Sequence, residues 1–122
     1  MKNAIHIILI IYCLLCTKGY TQAVLTAAEK TVALTILAEA RGEGKAGMYA
    51  VACVIQQRSI NRSLTPAQVC KQRKQFSCWN SKKDLSYSLK TSQATYATLL
   101  AKNIIGLDLS YTNNADHYCT LK

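Results

Sequence analysis

The stretch Leu34-Thr35-Ile36-Leu37-Ala38-Glu39-Ala40-Arg41-Gly42-Glu43-Gly44 constrains the fold more than any other part of this chain. A nearly unbroken apolar run has to be buried, and two glycines one residue apart end it, because glycine accepts the positive backbone angles that stop a helix. Upstream, Thr26-Ala27-Ala28-Glu29 has capping-box spacing, a hydroxyl three residues ahead of a carboxylate. A helix is therefore predicted from near Ala27 to about Ala40 or Arg41. Val32, Ala33, Leu34, Ile36 and Leu37 leave it little polar surface, which makes it central rather than peripheral. On that helix Glu39 shares a face with Val32, Thr35 and Ile36. A carboxyl among apolar neighbours loses the solvation of its charged form, so Glu39 is expected to stay protonated near neutral pH, the profile of a general acid. The plain alternative is a solvated residue in the last turn of an ordinary helix.

A second apolar run from Ala46 to Ile55 turns polar at Gln56-Gln57-Arg58 and predicts another buried helix ending near Asn61, with Cys53 as a core residue. Thr65-Pro66 joins a cap residue to a proline at the first helical position, so a short helix should follow through about Cys70. Ala94, Ala97, Leu100, Ala101, Ile104 and Ile105 recur at three- and four-residue steps, the mark of an amphipathic helix that Gly106 closes. The tail from Leu107 to Cys119 is polar and turn-rich, with room for a short strand or two. The expected fold class is mainly α: one compact helical domain with a short polar or β segment near the C-terminus, without repeats or an interdomain linker.

Met1-Lys2-Asn3 is followed by an apolar stretch, Ala4 to Cys16, too short for a comfortable membrane span, and small residues near Thr21-Gln22-Ala23 offer a cleavage site. Residues 1–23 are expected to be a secretory signal and residues 24–122 the mature, secreted domain. Lys2 and Lys18 leave with the signal, so 13 basic and 6 acidic residues remain, a net charge of +7. That charge suits an anionic partner such as an acidic wall polymer. Export argues against nucleic acid, and after cleavage no stable membrane insertion is expected, nor any oligomer. Cys53, Cys70, Cys78 and Cys119 stay in the mature chain and allow three disulfide pairings, of which Cys70 with Cys78 is favoured as a staple across a short basic loop. With no CxxC pair and only His117 left as an imidazole, neither a metal nor another cofactor is expected.

The segment Lys71-Gln72-Arg73-Lys74-Gln75-Phe76-Ser77-Cys78-Trp79-Asn80, followed by Lys82-Lys83, has neither helical nor strand period. It contains five basic residues, the only Phe and the only Trp. This mixture suits a loop that offers an aromatic platform and polar hands to a sugar. In the competing account it is a solvated basic loop whose Phe76 and Trp79 tuck into the core.

Four blocks occur in order across residues 32 to 119: Ala38-Glu39-Ala40-Arg41-Gly42-Glu43-Gly44; Gly47 and Ala50-Val51-Ala52 leading into Gln57-Arg58; Gln75-Phe76-Ser77-Cys78-Trp79; and Ala115-Asp116-His117-Tyr118. Together they resemble the SleB-type cell wall hydrolases, peptidoglycan hydrolases with a compact, mainly helical, lysozyme-like fold. The resemblance implies cleavage of the glycan strand of peptidoglycan between N-acetylmuramic acid and N-acetylglucosamine by lytic transglycosylation, with Glu39 as the catalytic acid. One carboxyl then acts twice, as proton donor and as proton acceptor. A hydrolytic lysozyme would need a second carboxylate, at about 5 to 5.5 Å for retention or about 6.5 to 9.5 Å for inversion. Glu43 is nearest in sequence, but Gly42 and Gly44 set it off the face of Glu39. Glu43 is therefore expected in a structural or positioning role within the substrate-binding set, and by the same resemblance Gln75, Ser77 and Trp79 line the saccharide groove while His117 and Tyr118 form its opposite wall. The chain departs from the family pattern in its basic approach to the Gln75–Trp79 block and in ending at Lys122, where the far wall of the groove is expected to be short. The competing functions are an inactive lysozyme-like module that binds peptidoglycan and a small cationic membrane-active protein.

Overall fold

Helix α1 (Ala27–Glu39) has every residue from Val32 to Leu37 buried, so it has no solvent face along its middle, and the other described helices pack around it. The computed structural model describes residues 24–40, 42–73, 75–79 and 92–117. Besides α1 these residues form α2 (Gly44–Arg62), α3 (Pro66–Lys71) and α4 (Ala94–Lys102), with 3-10 turns at Ser77–Trp79, Ile104–Gly106 and Leu109–Thr112. The fold is mainly helical, as expected, and α1 packs against α4, α3 and α2. The expected leader, Tyr118 and Cys119 lie outside the described residues. Among the described residues no helix is long and apolar enough to cross a membrane.

Local chemistry explains where each helix starts and stops. The Thr26 hydroxyl accepts the Glu29 N–H at 3.1 Å, which caps α1. The Glu29 carboxylate turns to Lys102 on α4, with 2.9 Å between Nζ and Oε2, and this hydrogen bond holds its carboxyl below the ordinary range. The cap spacing visible in the sequence thus also supplies a tie between α1 and α4. At the other end Gly42 and Gly44 adopt φ of 85° and 70°, the left-handed angles that stop α1 and turn the chain into α2. A Cβ on Gly47 would lie 2.3 Å from the Cβ of Glu43, so only glycine lets the start of α2 fold this closely over the turn. Helix α3 carries a complete capping box: Gln68 N–H donates to the Thr65 hydroxyl at 3.2 Å, Thr65 N–H donates to Gln68 Oε1 at 2.9 Å, and Pro66 stands at the first helical position.

The core gathers Ile36 from α1, Met48 and Ile55 from α2, Val69 from α3 and Phe76, each at most 1 % exposed. Each such side chain contributes about 1.5–3 kcal/mol by leaving water. The sequence pattern fails at the end of α4. Ile105, expected on the apolar face, is 84 % exposed, while Ile104 is buried. The α-helix stops at Lys102, and the chain tightens into a 3-10 turn of about three residues per turn, which swings Ile105 out to solvent. The polar segment that follows, where a strand or two had room, is a further 3-10 turn, and no strand occurs among the described residues.

Candidate active site

Thr35 is the one hydroxyl inside the apolar run of α1, and it is fully buried. A buried hydroxyl needs partners. It donates to the Thr31 carbonyl at 2.8 Å, and its oxygen accepts the indole N–H of Trp79 at 2.7 Å, across 44 residues of chain. This bond docks the Ser77–Trp79 turn on α1. Phe76, just ahead of the turn, is 1 % exposed and pins its base in the core, with the Arg58 guanidinium 5.1 Å from its ring centre. Lys71 lies over the half-buried Trp79 ring, with Nζ at 5.2 Å from its centre. The core-packing account therefore holds for Phe76 in full and for Trp79 in part: Trp79 commits its N–H inside and keeps part of its ring at the surface.

Glu39 stands four residues after Thr35 on the same face of α1. It is half-buried at the last residue of the helix. Its charge bears on Cys78, whose thiol is pushed up to about 11, chiefly by burial and then by Glu39. The carboxyl and the tryptophan-bearing turn are thus neighbours. Cys70, on α3, lies beneath them and is pushed up to about 12, first by burial; the Thr35 hydroxyl and Arg58 oppose the shift, and Cys78 adds to it. Cys70 and Cys78 are free thiols here, not the disulfide favoured from their spacing. Cys70 is fully buried in a helix, whereas Cys78 belongs to a separate turn held by Trp79. Cys53 is a buried core thiol that donates to the Asp108 carbonyl at 3.5 Å.

The remaining expected site residues divide. Ser77 is exposed on the turn beside Trp79, and Glu43 is exposed at the N-cap of α2 without capping it. Gln75 is directed to the last turn of α2, where its side-chain carbonyl accepts from Arg62 Nη1 at 3.0 Å, a donor shared with Gln72 at 2.6 Å. His117 is exposed and bonded to the Asp116 carboxylate. That carboxylate also accepts from Asn61 at 3.2 Å, and the two bonds, His117 first, hold it below its ordinary range. The Asp116 carbonyl accepts from Arg58 Nε. Gln75 and His117, expected on facing walls, are therefore both moored to the last two turns of α2, through Arg62 for one and through Asn61 and Arg58 for the other. Tyr118 lies outside the described residues. Among these residues no three His, Cys, Asp or Glu side chains gather as a metal site.

The sequence places Thr35 on the face of Glu39 and Arg58 in a family block, but the tie that each makes was not expected. Each had a signal: a polar residue in an otherwise apolar helix face has to find a partner, and the partner is a structural clue.

A family model described as a cell wall hydrolase matches residues 42–122. The matched span includes Glu43, Gln75, Ser77, Trp79, His117 and Tyr118, and begins three residues after Glu39. No curated protein and no solved structure matches the chain at a significant level.

Proposed function

Because the chain belongs to the cell wall hydrolase family, and so to proteins that break down peptidoglycan, we propose that it cleaves the glycan strand between N-acetylmuramic acid and N-acetylglucosamine, with Glu39 as a single general acid and base. The observation that carries this reading is the position of Glu39, half-buried at the end of α1 beside the Ser77–Trp79 turn. A carboxyl there can meet a sugar whose neighbouring ring lies along the exposed part of Trp79. In the first step Glu39 gives its proton to the glycosidic oxygen as the bond from that oxygen to the muramoyl C1 breaks. In the second, the muramoyl 6-hydroxyl adds to C1 and its proton passes to the Glu39 carboxylate, which restores the acid. No water is consumed, and the product carries a 1,6-anhydro end. A hydrolytic course would require a second carboxylate on the far side of C1. We assign residues 1–23 to a secretory leader and residues 24–122 to the wall-degrading domain, which would meet its substrate outside the membrane.

The test is Glu39→Gln. Release of soluble muropeptides from isolated sacculi should vanish, while sedimentation with the sacculi persists. Mass spectrometry of wild-type products should find ends one water lighter than hydrolysis gives. If the variant still releases fragments, Glu39 is not the acid. The competing reading is an inactive peptidoglycan-binding module. In that case wild-type protein binds sacculi and releases nothing.

A further inference from the structure

We infer that the tyrosine-lined cleft at the start of α2 is a second saccharide subsite, one that holds a sugar residue of the glycan strand outside the Thr35–Trp79–Glu39 cluster. This inference rests on the glycan-strand reading above. The cleft is open, about 330 Å³ in volume, and lined by Lys45, Ala46, Tyr49, Tyr96, Asp108 and Tyr111. That volume lies at the small end of ligand sites, room for a sugar ring rather than for an extended peptide. None of these residues belongs to the Thr35–Trp79–Glu39 cluster. They come from three separate parts of the chain: the first turns of α2, helix α4, and the 3-10 segment after it.

The chemistry of the lining is that of a sugar site. Tyr49 and Tyr111 meet edge to face, with centroids 5.1 Å apart and planes at 85°, and so form a corner of two perpendicular aromatic walls. The C–H face of a pyranose packs on such a ring, while its hydroxyls reach polar atoms at the rim. Tyr111 is 55 % exposed, although an aromatic ring of this size gains by burial, and a sugar laid on it would cover it. The rim atoms are already oriented. Asp108 N–H donates to the Tyr49 hydroxyl at 2.9 Å, so that hydroxyl acts as acceptor there and keeps its own proton for a ligand oxygen. The Asp108 carboxylate is braced through Oδ1, which accepts from the Ser110 N–H at 3.1 Å and from the Ser110 hydroxyl. Both bonds fall on Oδ1, which leaves Oδ2 to accept from a sugar hydroxyl. Lys45 stands 5.3 Å from the Tyr96 ring centre, an ammonium held against an aromatic wall. The Asp108 carboxylate belongs to the same lining, so the cleft offers one cationic donor and one anionic acceptor, a pair suited to the hydroxyls and N-acetyl carbonyl of a sugar residue.

The test uses full-length Glu39→Gln protein, which keeps the ligand intact, titrated with N-acetylglucosamine tetramer and with a muramoyl-containing tetrasaccharide, and read by calorimetry and amide chemical shifts. Shifts should appear at Tyr49, Tyr96 and Tyr111 with both ligands. Tyr111→Ala should weaken both about tenfold, the equivalent of about 1.4 kcal/mol, and Tyr111→Phe should restore the affinity. In the otherwise wild-type enzyme, Tyr111→Ala should raise KM on sacculi and leave kcat unchanged. Unshifted cleft amides, or equal affinities for wild-type and Tyr111→Ala proteins, overturn the subsite. Persistent lysis by Glu39→Gln would instead overturn the acid assignment, and the cleft shifts would still decide the subsite.

Discussion

Thr35→Val tests whether one buried hydroxyl holds the tryptophan turn in place. Valine has nearly the same shape and helix propensity as threonine, so the change removes a hydrogen-bond acceptor without opening a cavity. It takes from Trp79 Nε1 its partner at 2.7 Å, and Thr35 is fully buried, so water cannot enter as a substitute on that side. A hydrogen bond contributes about 0.5–1.5 kcal/mol net, and a buried donor left unpaired costs about 1–3 kcal/mol. The added methyl returns about 0.8 kcal/mol by burial. The net expectation is a loss of about 1–2 kcal/mol, which lowers Tm by about 4–8 °C for each kcal/mol in a domain of this size. The single tryptophan makes the assay specific. Urea unfolding followed by Trp79 fluorescence should show an earlier midpoint with an unchanged slope, and the native emission maximum should move as the indole N–H loses its hydrogen bond. A double-mutant cycle with Trp79→Phe should give a coupling energy of about 0.5–3 kcal/mol. An unchanged midpoint together with an unchanged emission maximum refutes the docking role of this bond.

Gly47→Ala should destabilise the protein by about 1–3 kcal/mol, reversing the sign expected for glycine to alanine in a helix, because the new Cβ would sit 2.3 Å from that of Glu43; thermal melts measure it, and Glu43→Gly should rescue the loss. Iodoacetamide at pH 8 should spare Cys70, held near 12 and fully buried, and reach Cys78, held near 11 and half-buried, only slowly, whereas both should react at once in denaturant. Rates equal to those of a free thiol in the folded protein would contradict this. The carboxyl of Asp116 is held low by His117 and Asn61, so the folded state binds its proton later than the unfolded chain does. The stability it contributes is complete above the ordinary Asp value of about 3.9 and is lost as pH falls through the lower folded value. Asp116→Asn should flatten that acid limb in melts from neutral to strongly acid pH, and an identical limb would remove the assignment.

What could be read from the sequence was local. Thr26 and the glycine pair announce the start and end of α1, and Thr65-Pro66 the start of α3, since caps and left-handed turns act within a few residues. The centrality of α1 follows from its apolar run alone. The contacts that shape the site are not local. Trp79 reaches Thr35 across 44 residues, and Arg58 reaches Asp116 across 58. Neither pair leaves a spacing for sequence to register. Ile105 misled because three- and four-residue periodicity assumes that the α-helix continues, whereas the chain had already tightened into a 3-10 turn. The tyrosine cleft was invisible for the same reason as the tryptophan bond: Tyr49, Tyr96 and Tyr111 belong to three elements that only the fold brings together.

Arg58 gives the molecule an unexpected economy. A single buried guanidinium faces the Phe76 ring on one side and fastens the carbonyl ahead of His117 on another. The aromatic loop and the C-terminal tail are therefore not independent modules that drift or acquire insertions separately. Any change in the length of one has to preserve its grip on the same planar fork, whose geometry lysine does not reproduce.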